Sequence, residues 1–142
     1  MAGSFGRVAE SYDRVRPGPA PAAVDWLVPA GCGAAVDLGA GTGLFTRALL
    51  GRVPEIAAVE PDGRMRAVLA ERTEGVRVLD GRGEAIPLPD ASVDAVFVST
   101  AWHWFDPALA VPEIARVLRD GGRLGAGAAL AHQIMWVSLP CS

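Results

Sequence analysis

Apolar positions along the chain alternate between two patterns. Short β-branched runs read as strands, and stretches with apolar residues three and four apart read as helices. Ala34-Ala35-Val36-Asp37-Leu38 predicts the first strand, closed by glycines. From Gly43 to Arg52, Leu44, Phe45, Ala48 and Leu49 share one helical face. Ile56-Ala57-Ala58-Val59 predicts a second strand, and Asp62 is placed to cap a helix whose buried stripe is Met65, Val68 and Leu69. Val76 to Leu79 predicts a short third strand, and Ser92 to Val98 a fourth, buried on both faces for most of its length. A helix over Pro112 to Arg119 turns Ile114, Val117 and Leu118 inward. Pro112 is expected to break any longer helix, leaving Asp106-Pro107 as a separate short turn. Gly121-Gly122 is expected to end the helix before a fifth strand over Arg123 to Leu130. Upstream, Pro17 to Pro29 predicts a turn or two of amphipathic helix around Val24, Trp26 and Leu27.

Strands and helices in strict alternation predict an α/β fold, a parallel sheet of about five strands with right-handed crossovers. A length of 142 residues predicts one domain. Hydrophobic residues make up 51% and charged residues 20%, enough apolar material to exclude a disordered tail. Formal net charge is −3, every basic residue is Arg, and no run of like charge occurs. A basic stripe for nucleic acid is therefore absent. No window approaches the ~18 apolar residues of a membrane span, and MAGSFGRVAESYDRVRPG lacks the apolar core of a secretion signal. Cys32 and Cys141 fit no metal or redox spacing, so a soluble cytoplasmic protein without a metal is expected.

The chemistry concentrates in Val36-Asp37-Leu38-Gly39-Ala40-Gly41-Thr42-Gly43, which runs from strand into helix. Glycines allow a tight turn and close approach of the backbone to a ligand. The helix start beyond them suits an anionic group such as a carboxylate. Glu60, ending the second strand, suits a ribose diol. A nicotinamide dinucleotide wants G-x-G-x-x-G/A, and Leu44 stands where the last small residue should fall. Asp37 would repel a pyrophosphate and pair with an ammonium group. A ligand with an amino acid at one end and a nucleoside at the other fits better; S-adenosylmethionine is one.

Here the sequence resembles a known family. VDLGAGTG, AAVEPD, GEAIPLPDASVDAVFVSTAWHWFD and EIARVLRDGGRL look like successive motifs of class I S-adenosylmethionine-dependent methyltransferases. They are nearest to the small-molecule subgroup that includes trans-aconitate and quinone-pathway enzymes. AESYDRVRP resembles the lead-in to that domain.

The resemblance covers roughly residues 5 to 125 and implies a Rossmann-like three-layer sandwich. Residues 1–30 would be the lead-in, 34–123 the cofactor-binding core, and 124–142 an atypical tail. Asp37, Gly39, Ala40 and Gly41 would hold the methionine end of the cofactor, and Glu60 the ribose hydroxyls. Pro61 and Asp62 would flank the adenine. Gly83 and Glu84 would meet its edge through backbone groups, although many relatives carry Asp-Ala-Glu where this chain has Arg82-Gly83-Glu84. Ser99 and Ala101 would border the sulfonium, and Tyr12 and Arg16 would close over the cofactor.

The implied reaction is direct displacement at the methyl carbon, with a small molecule as methyl acceptor. His103 is the nearby candidate base; packing among Trp102, Trp104 and Phe105 is its structural alternative. His132 receives no role, Arg116 and Arg119 read as a solvated helix face, and Cys32 as an inert turn residue. Full family members have seven strands, the last two an antiparallel pair, whereas this chain reaches only about the fifth. From Leu124 onward there is no charged residue and the family pattern stops. A bare parallel edge and self-association are expected there. The alternative function is an inactive, methyltransferase-like remnant or a cofactor-binding module.

Overall fold

A computed structural model describes residues 21–98, 105–127 and 134–138. Tyr12, Arg16, Ser99, Ala101, His103 and His132 lie outside the described residues, as do Trp102, Trp104 and Cys141. The elements run α1 (Pro21–Leu27), β1 (Ala34–Leu38), α2 (Leu44–Leu49), β2 (Glu55–Val59), α3 (Gly63–Arg72) and β3 (Arg77–Leu79). They continue with β4 (Val93–Val98), α4 (Pro107–Val117), β5 (Leu118–Gly127) and β6 (Ile134–Ser138).

One sheet has the order β3-β2-β1-β4-β5-β6. The first five strands are mutually parallel, as the strand–helix alternation predicts. β6 is antiparallel to β5, with Leu124 opposite Val137. The outer side of β5 is therefore paired, and the expected bare parallel edge does not occur there. Part of the uncharged tail supplies the pairing strand.

Alternation along β1 sorts its side chains between two cores, one on each face of the sheet. Ala34, Val36 and Leu38 join Val96, Val98, Ile114 and Val117 on the α4 side. Ala35 joins Val24, Leu27, Phe45, Leu49 and Phe97 on the side of α1 and α2. The Phe45 and Phe97 rings meet there, tilted, at 5.3 Å between centroids. Trp26 is 64% exposed, and Val24 and Leu27 carry the buried side of α1.

The 107–117 region differs from its sequence reading. One helix runs through Pro112, starting with Pro107 at its first turn and capped by the Asp106 side chain on the Ala108 amide. Pro112 stands only six residues in and removes one ladder bond. Burial of Ala110, Ile114 and Val117 holds the helix across it. The helix ends at Val117, and Leu118 pairs at once with Val93. A register shift follows before Arg123 pairs with Ala95, so Gly121-Gly122 lie in a bulge of β5 instead of ending a helix.

Among the described residues no helix is long and apolar enough to cross a membrane.

Candidate functional site

In a doubly wound sheet, ligands bind beyond the carboxyl ends of the strands, where the strand order reverses. Here the chain leaves β1 for β2 and β3 on one side and returns to β4 on the other. The reversal is at β1/β4, and the glycine loop follows β1 directly. Its first amides are tied down: the N–H groups of Gly39 and Ala40 both donate to the Val59 carbonyl, at 2.8 and 3.1 Å. The Gly43 amide donates to Ala40 O at 3.0 Å, which closes the turn into α2.

Glu60, at the end of β2, reaches across to this loop. Its Oε1 accepts from the Gly41 amide at 2.8 Å and its Oε2 from the Asp62 amide at 3.0 Å. Burial raises the Glu60 carboxyl above its ordinary range, while these two amide bonds work the other way. A carboxylate offers about four acceptor positions. Two are used, so capacity remains for two hydroxyl donors. Asp62 caps α3 as predicted, its Oδ1 accepting from the amides of Arg64 and Met65 at 2.9 and 3.0 Å. Arg66 folds back onto the carbonyls of Glu60 and Pro61, both at 2.9 Å, and fixes that turn from beneath.

Asp37 is fully buried in β1 on the α2 side of the sheet. Its Oδ2 accepts from the Thr46 hydroxyl at 2.6 Å. Its Oδ1 has no partner, which is true of no other buried side-chain oxygen or nitrogen among the described residues. Burial pushes the Asp37 carboxyl up to about 7; the Thr46 bond opposes that rise and the Glu60 charge adds to it. Thr46 was not legible as a site residue. The available signal was a hydroxyl flanked by Phe45 and near Leu49 on an otherwise apolar helix face.

The third wall is the loop after β3. Arg82 to Ala85 closes a tight turn, the Ala85 amide on Arg82 O at 3.1 Å. Gly83 is buried against the Phe105 ring, where a Cβ would come within 2.9 Å of the ring carbons. The Glu84 Oε2 turns toward α4 and accepts from the Asp106 amide at 3.3 Å.

Arg116, expected on a solvated face, is instead the clamp on this loop. Its guanidinium donates to Ile86 O, Leu88 O and Asp90 and holds Glu113, which in turn accepts from the Ile86 amide. Arg116→Met is expected to cost about 1–2 kcal/mol, a fall of about 3–6 °C in melting temperature. Arg119 makes one half-exposed ion pair with Asp94, so Arg119→Met should shift melting by less than about 1 °C. Equal shifts in the two variants would refute the clamp.

The structure thus brings Asp37, Gly39, Ala40, Gly41, Glu60 and Pro61 to one end of the sheet, with Gly83 and Glu84 on the adjoining loop. A glycine loop with one buried acid beneath it and a second beside it stands at the switch point of a doubly wound α/β domain. Residues 36–126 match the model of the methyltransferase domain family, and the chain belongs to that family.

It is 51% identical over 125 residues to an uncharacterised methyltransferase of Mycobacterium tuberculosis, covering 88% of this chain and 51% of that one. It thus spans about half the length of that relative. Among solved structures it resembles a putative type II methyltransferase from Anaeromyxobacter dehalogenans. The TM-score is 0.72 at 32% identity, covering 78% of this chain and 48% of that one. It also resembles a SAM-dependent methyltransferase of Thermotoga maritima, described as a possible histamine N-methyltransferase. There the TM-score is 0.64 at 36% identity, covering 75% of this chain and 48% of that one.

Proposed function

We propose that this domain binds S-adenosylmethionine and transfers its methyl group to a small-molecule acceptor. The observation that carries the reading is the unpartnered Oδ1 of Asp37, a buried carboxylate oxygen beneath a glycine loop. An ammonium group is the natural partner for such an oxygen, and a pyrophosphate is not. Glu60 has two acceptor positions left for a ribose diol beside it. The residues present therefore fit this cofactor at both ends, and they fit a nicotinamide dinucleotide poorly.

In this reading Asp37, with Gly39, Ala40 and Gly41, holds the amino-acid end. Glu60 holds the ribose, Pro61 and Asp62 flank the adenine, and the backbone at Gly83 and Glu84 meets its edge. Ser99 and Ala101 are assigned to the sulfonium, and Tyr12 and Arg16 to closure over the cofactor. When bound, the cofactor supplies a methyl group on a sulfonium that is already a good leaving group. The protein's task is to hold an acceptor in line with that methyl and to exclude water. His103 is the proposed base for acceptors that must lose a proton.

Calorimetric titration of S-adenosylmethionine into the folded 142-residue chain tests this reading, with circular dichroism confirming the fold. Saturable one-site binding is expected, with no response to NAD. A folded chain that ignores S-adenosylmethionine would overturn the proposal in favour of a methyltransferase-like remnant.

A further inference from the structure

Thr46 makes an unusual choice of partner. A threonine hydroxyl on a helix commonly donates to a carbonyl three or four residues back. Thr73, just past α3, does so on Leu69 O. Thr46, fully buried, instead donates across to β1, to Oδ2 of Asp37. A hydroxyl carries one proton, so this bond fixes Oδ2 as the acceptor and makes the two carboxyl oxygens unequal. Oδ1 is the one left over.

Among the described residues, none that acts on the Asp37 carboxyl is a cation. From the end of β2 the acting charge is Glu60, and from β4 the register partner of Asp37 is Phe97. Thr46 is the α2 group in contact, with Arg47 half-buried one residue further on.

The geometry points to Thr46 as a positioning residue of the cofactor site: by holding Oδ2 it aims Oδ1 at the ligand's ammonium group. This rests on the S-adenosylmethionine reading and deepens it. Two consequences separate such a role from simple packing. Loss of the hydroxyl should be felt only by ligands that carry the amino-acid end. It should also change the pH at which they bind.

The sign follows from the ionisation of Asp37, whose carboxyl is pushed up to about 7. Below that pH the free domain holds a protonated Asp37, which must release its proton before it can pair with an ammonium. Affinity therefore falls as pH drops below about 7, by up to about tenfold per unit. The Thr46 bond favours the ionised form, so removing it should move the midpoint upward.

The test is titration of S-adenosylmethionine and of 5′-methylthioadenosine, which lacks the amino-acid end, into wild type, Thr46→Val and Thr46→Ser. It is run from about pH 5.5 to 7.5, with each affinity corrected for the fraction of the ligand's amino group that is cationic, since such a group titrates at about 7.7–8.0. Thr46→Val should weaken S-adenosylmethionine about fivefold at pH 7, raise the midpoint, and leave 5′-methylthioadenosine unchanged. Thr46→Ser keeps the donor and should stay within about twofold of wild type. Unchanged affinity and midpoint in Thr46→Val would overturn the role while leaving cofactor binding intact. Wild type that fails to bind S-adenosylmethionine would overturn the underlying reading instead. If Thr46→Val does not fold, the wild-type pH profile decides: equal, flat profiles for both ligands would overturn the inference.

Discussion

Glu60→Ala is expected to weaken S-adenosylmethionine binding at least about tenfold, or about 1.4 kcal/mol. Two losses combine. The acceptor for the ribose diol disappears, and the amides of Gly41 and Asp62 lose the carboxylate that both donate to. Those amides stand on opposite walls, one in the glycine loop and one at the cap of α3. Glu60 is thus a strut between the walls as well as a ligand group. Glu60→Gln separates these functions. Its side-chain oxygen can still serve one amide, so it should retain more of the loop's order than alanine while losing charge-assisted bonds to hydroxyls.

Either substitution also removes the negative charge that raises the Asp37 carboxyl. The acid limb of the binding profile should therefore move to lower pH, opposite to Thr46→Val. Titration calorimetry across pH measures both effects. Wild-type affinity in Glu60→Ala would sink the ribose assignment.

The largest effect on stability should come from Gly43→Ala, about 2–4 kcal/mol in denaturant unfolding. Gly43 has φ +93°, in the left-handed region where an L side chain is strained. An added Cβ would sit 2.6 Å from Leu69 Cδ1 and 3.3 Å from Thr73 Cγ2. Leu69 is fully buried and Thr73 nearly so, so the Leu69 methyl must shift within the core. Gly51 provides the control. It has nearly the same φ, +82°, and a Cβ there would meet nothing within 4 Å. Gly51→Ala therefore reports the backbone strain alone, about 1–2 kcal/mol. Equal losses at the two positions would show that the Leu69 contact carries no energy.

Period and punctuation made most of the fold legible. The five parallel strands, the cap at Asp62 and the glycine loop all come from local patterns, and in each case local preference and tertiary packing agree. The exceptions are places where a long-range contact outweighs the local signal. Pro112 breaks helices in isolation, yet here three buried side chains hold the helix through it. Arg116 looks like an exposed cation on a helix until the loop at 86–90 is folded against it. Within the site, Asp37 and Glu60 are readable because a known motif frames them. Thr46 is not, because its significance lies in a cross-element bond between α2 and β1.

The location of the site within the sheet order bears on how it assembles. Asp37, the glycine loop, Thr46, Glu60 and the cap at Asp62 belong to a single β-α-β unit, closed by the β1–β2 ladder from Ala34↔Glu55 to Leu38↔Val59. The bonds that shape this cradle join residues close in sequence, so little chain entropy is spent in closing it. Pairing of β4 with β1 must instead bring Ala95 to Ala35 across a much longer stretch of chain. The unit that carries the proposed site is thus closed by contacts much nearer in sequence than those that join it to β4. Sequence drift beyond β4 can reshape what faces the cradle without disturbing how the cradle is made.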